Sequence, residues 1–285
     1  MDEAQNTDSK TFLWHNAYGE SDRFFGGNVK CKTDRVVHNW MDDDNHSKHR
    51  LNTIKLYLPN AKTILDLASG CGTCVYCGLK NGLDMFGIEP EMWKNVFNGM
   101  KARQYGYPKE WQSRFIVAYG ENLPFANDSF DCVTSYQTLE HVDDPRAVLS
   151  EMIRVARPCG GIHLHCPDYR STFEPHYRLP WLPLFPKSVA KLYLKILGRP
   201  TIGLDSLHYV TKPFVYDALK QITIRNPSIK LKIFDVDRDR FYKALRKRRI
   251  PELPFAYNIW KTMKHVSKLF RAEFNINIFI CVISK

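Results

Sequence analysis

An apolar run ending in Asp66 turns through Ala68-Ser69-Gly70-Cys71-Gly72, and a second run, Met85-Phe86-Gly87-Ile88, ends in Glu89-Pro90, placing Glu89 23 residues after Asp66. Residues of these types at this spacing can hold a nucleoside. The glycines let backbone approach a ligand closely, and a carboxylate at the tip of the second run can accept hydrogen bonds from both hydroxyls of a ribose. The elements that must position them are a strand, a tight turn into a helix, and a second strand beside the first.

Charge narrows the ligand. A dinucleotide brings a pyrophosphate, which favours an uncluttered helix N-terminus and a third small residue three positions after the second glycine, where this chain has Val75. Asp66 would repel that pyrophosphate, whereas a ligand carrying an ammonium and a sulfonium is favoured beside a carboxylate. The pattern points to S-adenosylmethionine rather than NAD.

More motifs follow in order: Gly120-Glu121-Asn122-Leu123-Pro124-Phe125, then Phe130-Asp131-Cys132-Val133-Thr134-Ser135, Leu139-Glu140-His141-Val142-Asp143-Asp144-Pro145, and Arg154-Val155-Ala156-Arg157-Pro158-Cys159-Gly160-Gly161 ahead of an apolar strand at 162–166. Over about residues 60–168 the chain resembles the class I S-adenosylmethionine-dependent methyltransferases, particularly the methyltransferase type 11 group. The resemblance implies cofactor contacts from Asp66, Ala68, Ser69, Gly70, Gly72, Glu89, Pro90, Gly120 and Glu121, with Tyr136 and Gln137 beside the methionine end. Two positions depart from the family. Ala68 stands where relatives open the turn with glycine, and Tyr119 where they commonly place an acid near the adenine amine, which leaves adenine to Gly120 and Glu121.

Methyl transfer from a sulfonium is an in-line displacement, so positioning supplies much of the catalysis and only a hydroxyl acceptor calls for a base. His141, just past the fourth strand, has the residue type for that role, and His165 and Asp168 at the end of the fifth strand are alternatives. The Glu140-His141 pair is similar to that of quinone-biosynthesis O-methyltransferases, some of which hold a divalent metal with carboxylates there. Gln137 occupies the place of a further acid, so no metal is expected. Cys71, Cys74 and Cys77 form a C-x-x-C-x-x-C run without a suitably spaced fourth ligand, and read as small apolar residues of the turn and first helix.

Strands are expected near 62–67, 83–88, 113–118, 130–135, 162–166, 230–236 and 275–284, alternating with helices. That is an α/β, Rossmann-like, seven-stranded and mostly parallel sheet with helices on both faces. Residues 1–60 read as an N-terminal helical cap, with a loop at Phe24-Phe25-Gly26-Gly27, a solvated acidic cluster at Asp42-Asp43-Asp44 and a helix from about Asn45 to Leu58; residues 61–285 form the catalytic domain. A proline-broken insertion after the fifth strand, 168–227, reads as a substrate lid, with Tyr169, Arg170, His176, Tyr177 and Arg178 as pocket candidates.

Of the net charge of +11, the stretch 238–271 carries +9, from eleven basic and two acidic residues. There Phe255, Ile259, Trp260, Met263, Val266 and Phe270 recur at helical spacing, with Lys261, Lys264, Lys268 and Arg271 on another face, as in basic amphipathic helices on anionic membranes. A core-packed helix with a solvated back fits as well. A polar start and no apolar run long enough to span a bilayer lead to an expected cytoplasmic location, with peripheral membrane attachment open. The acceptor reads as a small or lipid-linked molecule methylated on oxygen, a glycan intermediate or a quinone-like lipid. Alternatives are an RNA methyltransferase using Arg246-Lys247-Arg248-Arg249, and a non-catalytic cofactor-binding assembly protein.

Overall fold

The computed structural model describes residues 8–247, 257–261 and 275–285. Three helices, α1 (Ser9–Phe24), α2 (Val29–Met41) and α3 (Asn45–Tyr57), lead into β1 (Thr63–Leu67), α4 (Thr73–Lys80), β2 (Asp84–Ile88), α5 (Met92–Gln104), β3 (Phe115–Ile116), β4 (Phe130–Tyr136), α6 (Pro145–Val155) and β5 (Ala156–Pro167). A hairpin, β6 (Phe173–Glu174) and β7 (Leu179–Pro180), follows, then α7 (Lys187–Ile196), α8 (Ile202–Asp205), α9 (Lys212–Arg225), β8 (Lys230–Asp235), α10 (Val236–Lys247) and β9 (Asn275–Ser284).

The seven long-sheet strands lie in the order β3-β2-β1-β4-β5-β9-β8, with β9 antiparallel to both neighbours and the other pairs parallel. Strand order reverses between β1 and β4, which opens a crevice at the carboxyl ends of the strands. Period-two alternation divides the core. Leu65, Leu67, Val133, Ile162, Leu164, Ile278 and Ile280 face α6 and α9, while Ile64, Cys132 and Phe279 pack with Leu51 and Ile54 of α3 and Cys74, Val75 and Cys77 of α4. The thiols of Cys74 and Cys77 thus serve as core atoms, and burial pushes them up to about 12 and about 11.

Several expectations need correction. Strand β5 begins at Ala156 rather than 162, because Ala156 pairs with Phe130 across a register shift and the Pro-Gly-Gly signals only bend a continuing strand. Asp43 is not solvated. It is 4 % exposed and ion-paired with the fully buried Lys101 of α5, with Tyr107 Oη donating to it at 2.5 Å. The 168–227 lid is shorter than expected: α9 buries Val215, Ala218 and Leu219 in the sheet core, so it is the crossover helix from β5 to β8 and the insertion proper ends before it.

The basic stretch is also divided. Arg238–Lys247 lies in α10, and residues 257–261 form a helical turn whose Tyr257 and Trp260 rings stand 5.6 and 5.0 Å from Phe241. Arg248, Arg249, Phe255, Met263, Lys264, Val266, Lys268, Phe270 and Arg271 lie outside the described residues. No helix among those described is long and apolar enough to cross a membrane.

Candidate active site

Strand β1 delivers its last residue into a left-handed turn, with φ of 55° at Ala68, 54° at Gly70 and 68° at Gly72. Only glycine enters that region freely, so Ala68 carries a strain of about 1–2 kcal/mol that a glycine would not. A Cβ on Gly70 would meet open space, whereas one on Gly72 would stand 2.8 Å from the Phe115 ring and 2.9 Å from Asn98 Oδ1. Gly72→Ala is therefore expected to lower stability by about 2–3 kcal/mol, from left-handed strain plus overpacking, as read by urea unfolding; a cost below ~0.5 kcal/mol would show that the turn relaxes.

Glu89 leaves the tip of β2 and clamps the turn. Its Oε2 accepts from Gly70 N at 2.9 Å and its Oε1 from Glu91 N at 3.1 Å, while Lys94 Nζ lies 3.9 Å from Oε1. Burial raises the Glu89 pKa, and Lys94 with the two backbone donors opposes the rise. Each oxygen keeps a lone pair for a further donor. Glu20 of α1 is half-buried near Glu89, Glu91 and Lys94, so α1 roofs this end of the crevice.

Asp66 is buried and paired with Arg50 of α3, a partner the sequence reading missed. Its second oxygen has no hydrogen-bond partner among the described residues, and neither do Ser69 Oγ or Asn98 Oδ1 around the same turn. Orphaned buried acceptors beside open space above Gly70 fit a ligand that brings donors, here ribose hydroxyls and an ammonium. Gly120 is buried against Leu67 and Val148, but Glu121 Oε1 accepts from Asp143 N at 2.9 Å and Asp144 N at 3.3 Å, so it ties two loops together. Pro90 is half-buried beside Glu89.

At the tip of β4, Tyr136 stacks on His165 with centroids 4.2 Å apart, Arg50 sits 5.0 Å over the Tyr136 ring, and Gln137 Nε2 lies 3.3 Å from His165 Nδ1. Tyr136, His163 and His165 line a cavity of about 720 Å³ closed by α3, α10, Tyr257 and Trp260. Its size suits a small organic ligand. Burial, with Arg50, pulls His165 down to about 4, so it stands there as a neutral imidazole.

His141 is elsewhere. Its Nε2 lies 3.1 Å from Nε2 of His176 in the insertion and 4.0 Å from Oε1 of Glu140. Desolvation, His176 and Lys94 push His141 down to about 3, burial pushes Glu140 up to about 7, and Glu174 raises His176 against its burial. Asp168, offered above as a base, has its carboxylate occupied by the Arg170 guanidinium and by Arg170 N and Lys212 N, at 3.1 and 3.3 Å; it orders the start of the insertion and ties up Arg170.

The other insertion candidates separate in the same way. Tyr169 is buried in a stack on Tyr209, and Tyr177 is buried against Phe25 with its hydroxyl donating to Phe24 O, so both are core. Arg178 is exposed. The fold thus joins His176 to Glu140 and His141, joins His165 to Tyr136 and Gln137, and leaves Tyr169, Tyr177 and Arg178 outside both groups. The helical-cap residues Arg50 and Glu20 had no local signal, because only packing brings them to the crevice.

Residues 65–164 match the family model described as a methyltransferase domain. An uncharacterized methyltransferase of Mycobacterium sp. (strain JLS) is 34% identical over 102 residues, covering 36% of this chain and 37% of that protein. A demethylmenaquinone methyltransferase of Renibacterium salmoninarum is 34% identical over 97 residues, 34% of this chain and 38% of that one. The chain therefore spans under two-fifths of the length of these relatives. Among solved structures, phosphoethanolamine N-methyltransferase 2 of Haemonchus contortus, in complex with S-adenosyl-L-methionine, shares the fold with a TM-score of 0.51 at 15% identity, covering all of this chain (100%) and 59% of that one. Strand order, glycine turn and the acid at the tip of β2 agree with that match, and residues 65–164 lie in the fold of a class I methyltransferase domain.

Proposed function

We propose that the protein is an S-adenosylmethionine-dependent methyltransferase acting on a hydroxyl oxygen of a small or lipid-linked acceptor, a glycan intermediate or a quinone-like lipid. The observation that carries the methyltransferase reading is the Glu89 carboxylate held against Gly70 N beside an open, donor-seeking turn. Glu89 holds the ribose, Gly70 and Ser69 accommodate the backbone approach, and the free oxygen of Asp66 faces the ammonium. The bound cofactor supplies an activated methyl group on a sulfonium. The chain positions the acceptor over the tips of β4 and β5, between His165 on one side and the Glu140, His141 and His176 group on the other.

Calorimetric titration with S-adenosylmethionine and S-adenosylhomocysteine tests the cofactor: micromolar binding supports the reading, and no binding by folded protein, or preferential binding of NAD, overturns it.

The lipid-linked form of the acceptor is supported by α7. Val189, Leu192 and Ile196 are exposed at helical spacing, Ile196 at 75 %, beside exposed Leu182 and Leu184, and Lys187, Lys191 and Lys195 recur every fourth residue on the adjoining stripe. Apolar and lysine stripes side by side suit an anionic membrane surface. Ile196→Asp is expected to reduce flotation with phosphatidylglycerol vesicles at least fivefold at low salt. If the wild type does not float with them, the lipid-linked acceptor is excluded and the small soluble one stands.

A further inference from the structure

Glu140 carries a buried carboxylate in the loop that follows β4. The residue is 0 % exposed, and neither oxygen has a hydrogen-bond partner on another of the described residues. An unpaired buried carboxylate is costly, and buried charges are retained where they are paired or coordinate a metal. Facing it are two imidazole nitrogens, Nε2 of His141 and Nε2 of His176, and one ligand atom from each of the three residues lies within 4.8 Å of the others.

The second ring of contacts has the form that metal-bound histidines require. His176 Nδ1 lies 2.7 Å from Glu174 Oε1, an arrangement in which Nδ1–H donates to the carboxylate and the lone pair of Nε2 points at the cluster. Glu174 is itself held, by Tyr177 N at 2.5 Å, and the His176 ring is fixed by stacking on Phe25 with Lys32 Nζ donating to the His176 carbonyl at 3.1 Å. Two nitrogens bound to one zinc ion at ~2.0–2.1 Å stand ~3.3 Å apart in a tetrahedron, and here they are 3.1 Å apart.

We propose that Glu140, His141 and His176 form a binding site for a divalent cation of the zinc type, with Glu174 as the outer carboxylate that orients His176. Two imidazoles and one carboxylate are the donor set of zinc sites that keep a fourth position open. An oxygen of the acceptor is the class of ligand that would fill it; that last step rests on the methyltransferase reading, while the site itself does not. The donor set differs from a carboxylate-only site, and the absence of an acid at Gln137 is made good by a histidine 35 residues beyond His141 that the insertion folds back.

The test uses the full chain stripped with a chelator, then titrated with zinc(II) by calorimetry and with cobalt(II) by visible absorption. One equivalent should bind, with the strong visible bands of four-coordinate cobalt and no thiolate charge-transfer band, since free thiols such as Cys31 and Cys159 are exposed. His141→Ala and His176→Ala should each weaken zinc binding at least 100-fold and Glu174→Gln about 10-fold or more, whereas His38→Ala, an exposed histidine, should leave it unchanged. Circular dichroism establishes that each variant is folded, and His141 contributes little core, so at least that variant is informative. Absence of stoichiometric binding, a thiolate band, or undiminished binding in folded His141→Ala and His176→Ala overturns the proposal. S-adenosylmethionine titrated into the same samples keeps the two readings apart: cofactor binding without metal binding removes only the cation site, and metal binding without cofactor binding removes only the methyltransferase reading.

Discussion

Glu89→Ala is expected to weaken S-adenosylmethionine binding by about 100-fold or more, with the variant still folded. The carboxylate does two jobs at once. Its accepted bonds from Gly70 N and Glu91 N hold the turn open in its left-handed form, and its remaining lone pairs are the acceptors for two ribose hydroxyls. Hydrogen bonds to a charged acceptor contribute about 1.5–3 kcal/mol each, so losing two exceeds the ~2.7 kcal/mol of a 100-fold change. Glu89→Gln keeps one acceptor oxygen and should lose about 10-fold. Calorimetry reads both variants, and a change under threefold for Glu89→Ala would mean that the ribose is held elsewhere and that the fit of this turn to the cofactor has been misread.

The largest stability effect should come from a residue far from any chemistry. Asp43→Ala is expected to destabilise the fold by about 3–5 kcal/mol, because it strands Lys101, which is fully buried and, among the described residues, keeps the carbonyl of Trp40 at 2.7 Å and the Tyr76 ring at 5.8 Å but no other carboxylate. It also removes the acceptor of Tyr107 Oη and one partner of Lys80, 3.3 Å away. Replacing both members, Asp43→Ala with Lys101→Met, should recover much of the loss, since an apolar side chain of similar length needs no partner. Urea unfolding of the two single variants and the double variant measures the coupling. A cost below ~1 kcal/mol for Asp43→Ala would show that water reaches Lys101 and that the acidic run is solvated after all.

What the sequence alone determined is what repeats locally. Apolar runs bounded by turn residues placed β1, β2, β4, β8 and β9 within a residue or two, and their alternation with helices implied the sheet. Asp66, the glycines and Glu89 could be read together because a strand, a turn and a helix fix the distance between strand tips whatever else the chain does. Where a local signal and strand pairing disagreed, as at Pro158-Cys159-Gly160-Gly161, pairing prevailed: Gly161 lies opposite Cys132 on one side and Cys281 on the other.

Only the tertiary structure decided which charges and rings meet. Arg50 on Asp66, Lys101 on Asp43 and His176 on His141 join residues 16, 58 and 35 positions apart, and no period in the sequence encodes such pairs. Packing selects them, because a buried charge must find a partner and the partner is whatever the adjoining helix or insertion brings to that spot. The same cause turned Tyr177 from a pocket candidate into core and α9 from lid into crossover helix: composition shows that a segment is apolar or polar, and only its neighbours determine which side of it is covered.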